Sequence, residues 1–203
     1  MRRPKLSSKP GGRVNGSIVR RWPFLIIGLT GSIGMGKSTA ANLLKVMNIP
    51  LFDSDRVVHA LLTRTGAAFP FVVKRFPEAL MGGSLDRATL GELVFFNSKA
   101  RTDLENILYP YIILERTRFF RFHSINRSQM VVLDVPLLYE KGLDALCDYV
   151  FVVTAASFIQ SQRVLARRGM TEDKYSAILK SQLPDSAKQF FASKVIFSGL
   201  GRH

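Results

Sequence analysis

Eight consecutive residues, Gly31-Ser32-Ile33-Gly34-Met35-Gly36-Lys37-Ser38, fit G-x-x-x-x-G-K-[ST] and follow directly on the apolar run Phe24-Leu25-Ile26-Ile27-Gly28-Leu29. The chemistry of that pattern is polyphosphate binding. A loop that wraps phosphate oxygens sets backbone N–H groups against them, which calls for positive φ values and no side chains in the way, hence the glycines. Gly31 through Ser38, with Thr39 behind, form the expected nucleotide cradle. Lys37 is placed to reach the β- and γ-phosphates and the Ser38 hydroxyl to ligate Mg²⁺. The helix expected from about Lys37 to Met47 adds its N-terminal dipole, with Ala40, Leu43, Leu44 and Met47 on its buried side.

Other chemistry-bearing residues stand at the ends of apolar runs. Pro50-Leu51-Phe52 is a short strand signal that ends at Asp53-Ser54-Asp55. Ligands of open α/β sheets bind outside the carboxyl ends of the strands, so Asp53 and Asp55 are expected to face the phosphate crevice. Met130-Val131-Val132-Leu133-Asp134 and Tyr149-Val150-Phe151-Val152-Val153 read as buried parallel strands, the first closing on a carboxylate. Arg163 and Arg167 lie four apart in a helical pattern from Ala156 to Met170 and so are expected on one helix face. Taken alone, that face reads as a solvated basic surface.

The elements that must position these groups follow from turn and cap signals. Between Gly66 and Phe122 the signals are helical, with no convincing strand. Pro70 suits a first helical turn, and Asp86 a cap before Arg87–Phe96. Asn97 or Ser98 caps a longer helix, expected to be interrupted at Pro110. Thr171, followed by Glu172 and Asp173, starts a helix to about Leu183, and a last strand is expected near Lys194–Phe197.

Composition sets outer bounds. A chain of 203 residues that is 47% apolar can bury one sizeable core with an appended subdomain. A single cysteine, Cys147, leaves no disulfide framework, and burial as a small hydrophobe is its expected role. No stretch approaches the ~20 apolar residues of a membrane span, so a soluble, cytoplasmic protein is expected. The net charge of +14 is uneven: residues 1–22 hold seven Lys and Arg and no acid, which reads as a disordered basic extension. The remaining charge belongs to residues 23–203 and suits anionic ligands. A phosphate loop alone leaves kinases, GTPases, ATPases and nonenzymatic nucleotide binders open. The absence of an Asn-Lys-x-Asp guanine signature and of a Leu-Ser-Gly-Gly-Gln transporter signature removes the GTPases and, among the ATPases, the transporters.

Several ordered motifs together resemble one family, the bacterial dephospho-CoA kinases. The resemblance runs from about Phe24 to Gly201. Its markers are the loop Gly28–Thr39, the Asp53-Ser54-Asp55 triplet, Gly83-Ser84-Leu85-Asp86-Arg87, Leu133-Asp134-Val135-Pro136-Leu137-Leu138-Tyr139-Glu140, and the stretch Gln160–Thr171. It implies an α/β fold of the P-loop NTPase type: a three-layer parallel-sheet core (about 23–55 and 129–203), a helical CoA-binding insertion (about 56–128) and a small lid (about 160–175). The implied reaction moves the γ-phosphoryl of ATP to the ribose 3′-hydroxyl of dephospho-CoA, the last step of coenzyme A synthesis. Dephospho-CoA is then the partner molecule, ATP and Mg²⁺ the cofactors, and neither a membrane nor a specific nucleic acid is involved.

The resemblance also assigns roles. Asp55 becomes the base or orienter of the hydroxyl, Asp134 the acid that supports Mg²⁺ with Ser38, and Lys37, Arg163 and Arg167 the catalytic cations. Thr30, Asp53, Asp55, Tyr109 and Glu140 become substrate contacts. Tyr109-Pro110 stands where most members have His-Pro, so an ionic contact there is replaced by a hydrogen-bonding phenol. The family's Arg and Asp near Phe191-Ala192-Ser193 are absent, as is its helix after Gly201. Exposed apolar surface is therefore expected at Val195, Ile196 and Phe197.

Overall fold

The computed structural model describes residues 22–95 and 97–199, so most of the basic stretch read at 1–22 lies outside the described residues. Leu25–Thr30 forms β1, whose residues are almost all apolar and alternate between two covered faces of a sheet. Leu29 and Ile27 pack toward a cluster with Val132 and Val153, while Gly28 lies against Leu138 and Cys147 on the opposite face. Around β1 assemble β2 (Leu51–Asp53), β5 (Met130–Asp134), β6 (Tyr149–Thr154) and β7 (Lys194–Phe197), in the order β2-β5-β1-β6-β7. The β1–β5, β1–β6 and β6–β7 pairs are parallel, with Leu29 opposite Asp134 and Thr30 opposite Val152. Parallel strands buried on both faces read as continuous apolar runs, and these do.

One face of the sheet carries α1 (Lys37–Val46), seated through Ala40, Ala41 and Leu44. Leu43 and Met47, expected on the buried side, are exposed instead. The two alanines let the helix axis approach Leu29 and Val153 closely, and that contact rotates the larger side chains outward. The other face is covered by Leu138, Tyr139 and Leu143 and by Phe191 at the end of α8 (Asp185–Phe191), a helix with no sequence expectation behind it. Cys147 packs within that cluster. Between β6 and α8 come α6 (Ser157–Leu165) and α7 (Glu172–Ser181), the latter capped by Thr171 Oγ1, which accepts from the Lys174 N–H. Strand β7 sits at the sheet edge. Val195 and Ile196 are half-buried and Phe197 is 63% exposed.

The described residues divide into two compact units, one made of residues 22–52 and 123–199 and one of residues 53–95 and 97–122. The second unit is helical: α2 (Ser54–Leu61), α3 (Phe69–Arg75), α4 (Arg87–Phe95) and most of α5 (Ser98–Ile125). Its core is Leu61, Val72, Phe76, Leu90 and Leu108, with Ala68, Ala79 and Ala100 allowing close approach. Pro70 sits in the first turn of α3. Asp86 caps α4 through the Thr89 N–H, and Asn97 caps α5 through the Ala100 N–H. Two expectations are corrected here. A two-residue hairpin, β3 (Leu80–Met81) with β4 (Ser84–Leu85), occurs where no strand was read, turning on Gly82 and Gly83 at positive φ. Helix α5 also runs through Pro110 unbroken. Proline removes a single hydrogen bond, and Leu104, Ile107 and Leu108 before it and Tyr111 and Ile112 after it are all anchored in the same core. Among the described residues no helix is long and apolar enough to cross a membrane.

Candidate active site

The loop between β1 and α1 takes the form its glycines permit. Gly34 and Gly36 have φ of 78° and 84°, and at both positions the space a Cβ would need is taken. At Gly34 it lies 2.5 Å from Val164 Cγ2, and at Gly36 2.6 Å from Ser198 Oγ. Any L side chain is therefore excluded twice, by backbone strain and by a neighbour. Helix α1 starts with no side-chain cap and no acidic residue in its first turn, leaving its positive end to an anion.

Lys37 and Asp134 meet beside that loop. The Lys37 ammonium donates to Asp134 Oδ1 at 2.5 Å, with the lysine side chain 14% and the aspartate 5% exposed. The carboxylate stands at the end of β5, opposite Leu29 in the register, which brings the two motifs together across adjacent strands. A buried lysine and a buried carboxylate are stable there only as partners.

The outer side of the loop is held by the last third of the chain. Gln160 Nε2 donates to the Ile33 carbonyl at 2.8 Å, and the Ile33 N–H donates to Gln182 Oε1 at 3.1 Å. Arg163 Nη1 donates to the Gly34 carbonyl at 3.4 Å and to Ser198 Oγ at 3.0 Å, and its Nη2 to the Ser198 carbonyl at 3.0 Å. Ser198 Oγ donates to the Met35 carbonyl at 2.6 Å. In the second unit, Asp53 closes β2 and caps α2, its carboxylate accepting from the Arg56 N–H at 3.0 Å, and Asp55 stands in the first turn of that helix. The helix-cap role that Asp55 could have taken belongs to Asp53. Tyr109 lies on α5, half exposed.

Comparison with known proteins supplies the family. The family model described as CoaE, dephospho-CoA kinase, matches residues 25–199. The chain belongs to the dephospho-CoA kinase family. The dephospho-CoA kinase of Paramagnetospirillum magneticum is 45% identical over 81% of this chain and 77% of its own length. That of Mesorhizobium japonicum is 43% identical over 88% of this chain and 89% of its own length. Among solved structures, TT1252 from Thermus thermophilus superposes with a TM-score of 0.73 at 32% identity, covering 88% of this chain and 90% of that one. The dephospho-CoA kinase of Campylobacter jejuni shares the fold at a TM-score of 0.58 and 23% identity, over 87% and 89% of the two chains.

Within this member of the dephospho-CoA kinase family, three expected site residues stand as follows, and the expected helix face of Arg167 is corrected. Thr30 is fully buried and its hydroxyl donates to the Pro136 carbonyl at 3.0 Å, so it braces the turn after β5. Glu140 faces inward: Oε1 accepts from the Leu183 N–H at 2.7 Å and pairs with the fully buried Lys188 ammonium at 2.9 Å. Arg167 does not share a helix face with Arg163. Helix α6 ends at Leu165, and Arg167 is carried exposed on the turn toward Gly169, whose φ of 75° closes that turn. The missing Arg and Asp near Ser193 are absorbed locally: Phe191 packs on Tyr139, and Ser193 Oγ accepts from the Val150 N–H at 3.0 Å. Sequence reading named Gln160 only as the start of a family-like stretch, with no role, and passed over Gln182 and Ser198. No local pattern marks them, because each meets the loop from more than 120 positions away.

Proposed function

We propose that residues 31–39 of this dephospho-CoA kinase cradle the triphosphate of ATP, with Lys37, Asp134, Ser38 and the arginines of the α6–α7 segment around it. Asp55 then orients and deprotonates the ribose 3′-hydroxyl of dephospho-CoA. As a member of its family the chain uses ATP to phosphorylate dephospho-CoA in the final step of coenzyme A synthesis. The observation that carries the site reading is the glycine loop at the carboxyl end of β1, with Lys37 and Asp134 paired beside it.

The steps follow from the chemistry of these groups. When triphosphate enters, Lys37 exchanges its carboxylate for phosphate oxygens, losing no charge compensation as it does so. The N–H groups at the start of α1 lie on the axis of the helix dipole and receive the remaining negative charge. A hydroxyl from Ser38 and a carboxylate from Asp134 are hard oxygen donors, and Mg²⁺ binds through one or two such groups plus phosphates and water. That donor set therefore fits Mg²⁺. Held by these residues, the ion would supply positive charge against the phosphate oxygens. Among the described residues no cluster of three or more His, Cys, Asp or Glu competes as a metal site. Arg167, exposed on its turn, supplies positive charge to the transferring group on closure of the α6–α7 segment, and closure keeps water from the phosphoryl group. Asp53 holds the start of α2 and so fixes where Asp55 begins. Tyr109 offers a phenol for hydrogen bonding to the acceptor. Action in the cytoplasm belongs to the same reading, resting on the soluble-type composition and the absence of a spanning helix among the described residues.

The test is formation of CoA from dephospho-CoA and Mg-ATP, followed by mass spectrometry. Asp55→Asn is expected to lower kcat by about a hundredfold or more while leaving the KM for ATP within about twofold, the signature of a lost acid–base group. Unchanged turnover in Asp55→Asn would remove that residue from the mechanism. A rise in the ATP KM with kcat intact would place it in nucleotide binding instead.

A further inference from the structure

We infer that Gln160, Gln182 and Ser198 are positioning residues for phosphoryl transfer: they set the peptide orientations of the phosphate loop before nucleotide arrives. The inference rests on residues 31–39 being the triphosphate cradle. Three successive loop carbonyls, those of Ile33, Gly34 and Met35, each receive a donor from the chain's last third. The donors are Gln160 at 2.8 Å, Arg163 at 3.4 Å and Ser198 at 2.6 Å. A trans peptide is planar, with its C=O and the following N–H pointing in opposite directions. Pinning the carbonyls of Ile33 and Met35 outward therefore aims the N–H groups of Gly34 and Gly36 inward, the side on which a cradle presents donors. The Met35 N–H closes a turn on the Ser32 carbonyl at 3.2 Å, so Gly34 and Gly36 supply the directed donors of this stretch.

The residues used are specific to the task. Gln160 is only 6% exposed, which aligns its amide against one carbonyl. Gln182 works from the other side of the same residue, accepting from the Ile33 N–H, so Ile33 is fixed at both its polar groups. Ser198 follows β7, where its N–H continues the strand pairing by donating to the Thr154 carbonyl at 2.8 Å. Its hydroxyl is positioned by that strand, and the close approach to Gly36 is possible because Gly36 lacks a Cβ. Glycine-rich loops have large conformational freedom, and whatever ordering is left undone in the free protein is subtracted from nucleotide affinity.

Opposite outcomes for two isosteric changes test this. Gln160→Glu puts a carboxylate against the Ile33 carbonyl. Gln182→Glu adds the same charge but keeps the acceptor that the Ile33 N–H needs. Gln160→Glu is expected to raise the ATP KM about tenfold or more, the scale of a buried carbonyl losing its donor, and Gln182→Glu to stay within about threefold. Ser198→Ala is expected to raise the ATP KM about tenfold, with the KM for dephospho-CoA unchanged, and Ser198→Thr to restore it. Equal behaviour of the two Glu variants, or equal shifts of both KM values in Ser198→Ala, overturns the inference, since a general structural defect would produce those. Lys37→Ala separates it from the reading beneath: full ATP affinity and turnover in Lys37→Ala would remove the cradle itself. Loss there, with Ser198→Ala behaving as wild type, would remove the positioning role alone.

Discussion

At the residue scale, the side chains that matter most outside the phosphate loop are polar groups buried behind the sheet. Tyr139 is 4% exposed, its ring 6.0 Å from that of Phe191, and its hydroxyl has no hydrogen-bond partner among the described residues. Burial pushes its phenol well above the usual range, with Asp144 adding to the effect. A hydroxyl taken from water without a partner is a cost, so Tyr139→Phe is expected to leave stability unchanged or raise it by about 1 kcal/mol. Urea titration measures this, and a loss larger than that would show the hydroxyl to be engaged. Lys188 is the opposite case. It is fully buried and paired with Glu140, so Lys188→Met strands a carboxylate and is expected to cost about 3–5 kcal/mol. Adding Glu140→Gln removes the stranded charge and should recover most of that loss. If the double variant is no more stable than the single, packing of the lysine stem, and not its charge, is what matters.

At the element scale, the sequence was most readable where structure is local. The strand–loop–helix order around Lys37, the Asp86, Asn97 and Thr171 caps, and strands β1, β5, β6 and β7 depend on residues near one another in the chain, and each stands where it was expected. What was missed depends on distant partners. Helix α8 has seven residues and is held by distant partners, Phe191 packing on Tyr139 and Lys188 pairing with Glu140. The β3–β4 hairpin is two residues a side, below the length at which alternation is visible. The residues behind the phosphate loop left no local trace for the same reason. The face of α1 was misread because a 3.6-residue period fixes a stripe but not which of two overlapping stripes meets the sheet. The alanines won, leaving Leu43 at 59%, Val46 at 79% and Met47 at 68% exposure. This assignment has a direct consequence. Val46→Glu with Met47→Lys should change stability by no more than about 0.5 kcal/mol for each position, as surface substitutions do, and should raise solubility. A loss of several kcal/mol in thermal melts would mean that this face of α1 is covered in solution.

At the scale of the whole molecule, the dominant property is charge. The chain carries a net +14, and half of it belongs to residues 1–22, so the rest of the protein is itself strongly basic. Both substrates of a dephospho-CoA kinase are anions, and a basic body raises their local concentration and speeds their encounter. The Debye length falls from about 30 Å at 0.01 M salt to about 8 Å at 0.15 M, so charges far from the site act only at low salt while those near it persist. Raising salt across that range is therefore expected to raise the KM of both ATP and dephospho-CoA several-fold. The kcat should change little, since transfer occurs after both substrates are bound and screened from bulk salt. Initial-rate kinetics at four or five salt concentrations, in parallel on the full chain and on residues 22–203, locate the effect. If the body steers, the shortened chain keeps most of the salt dependence, because the charges nearest the phosphate loop remain. If the dependence disappears with residues 1–21, the capture of anions belongs to the basic extension, and the charge of the folded units has no part in substrate encounter.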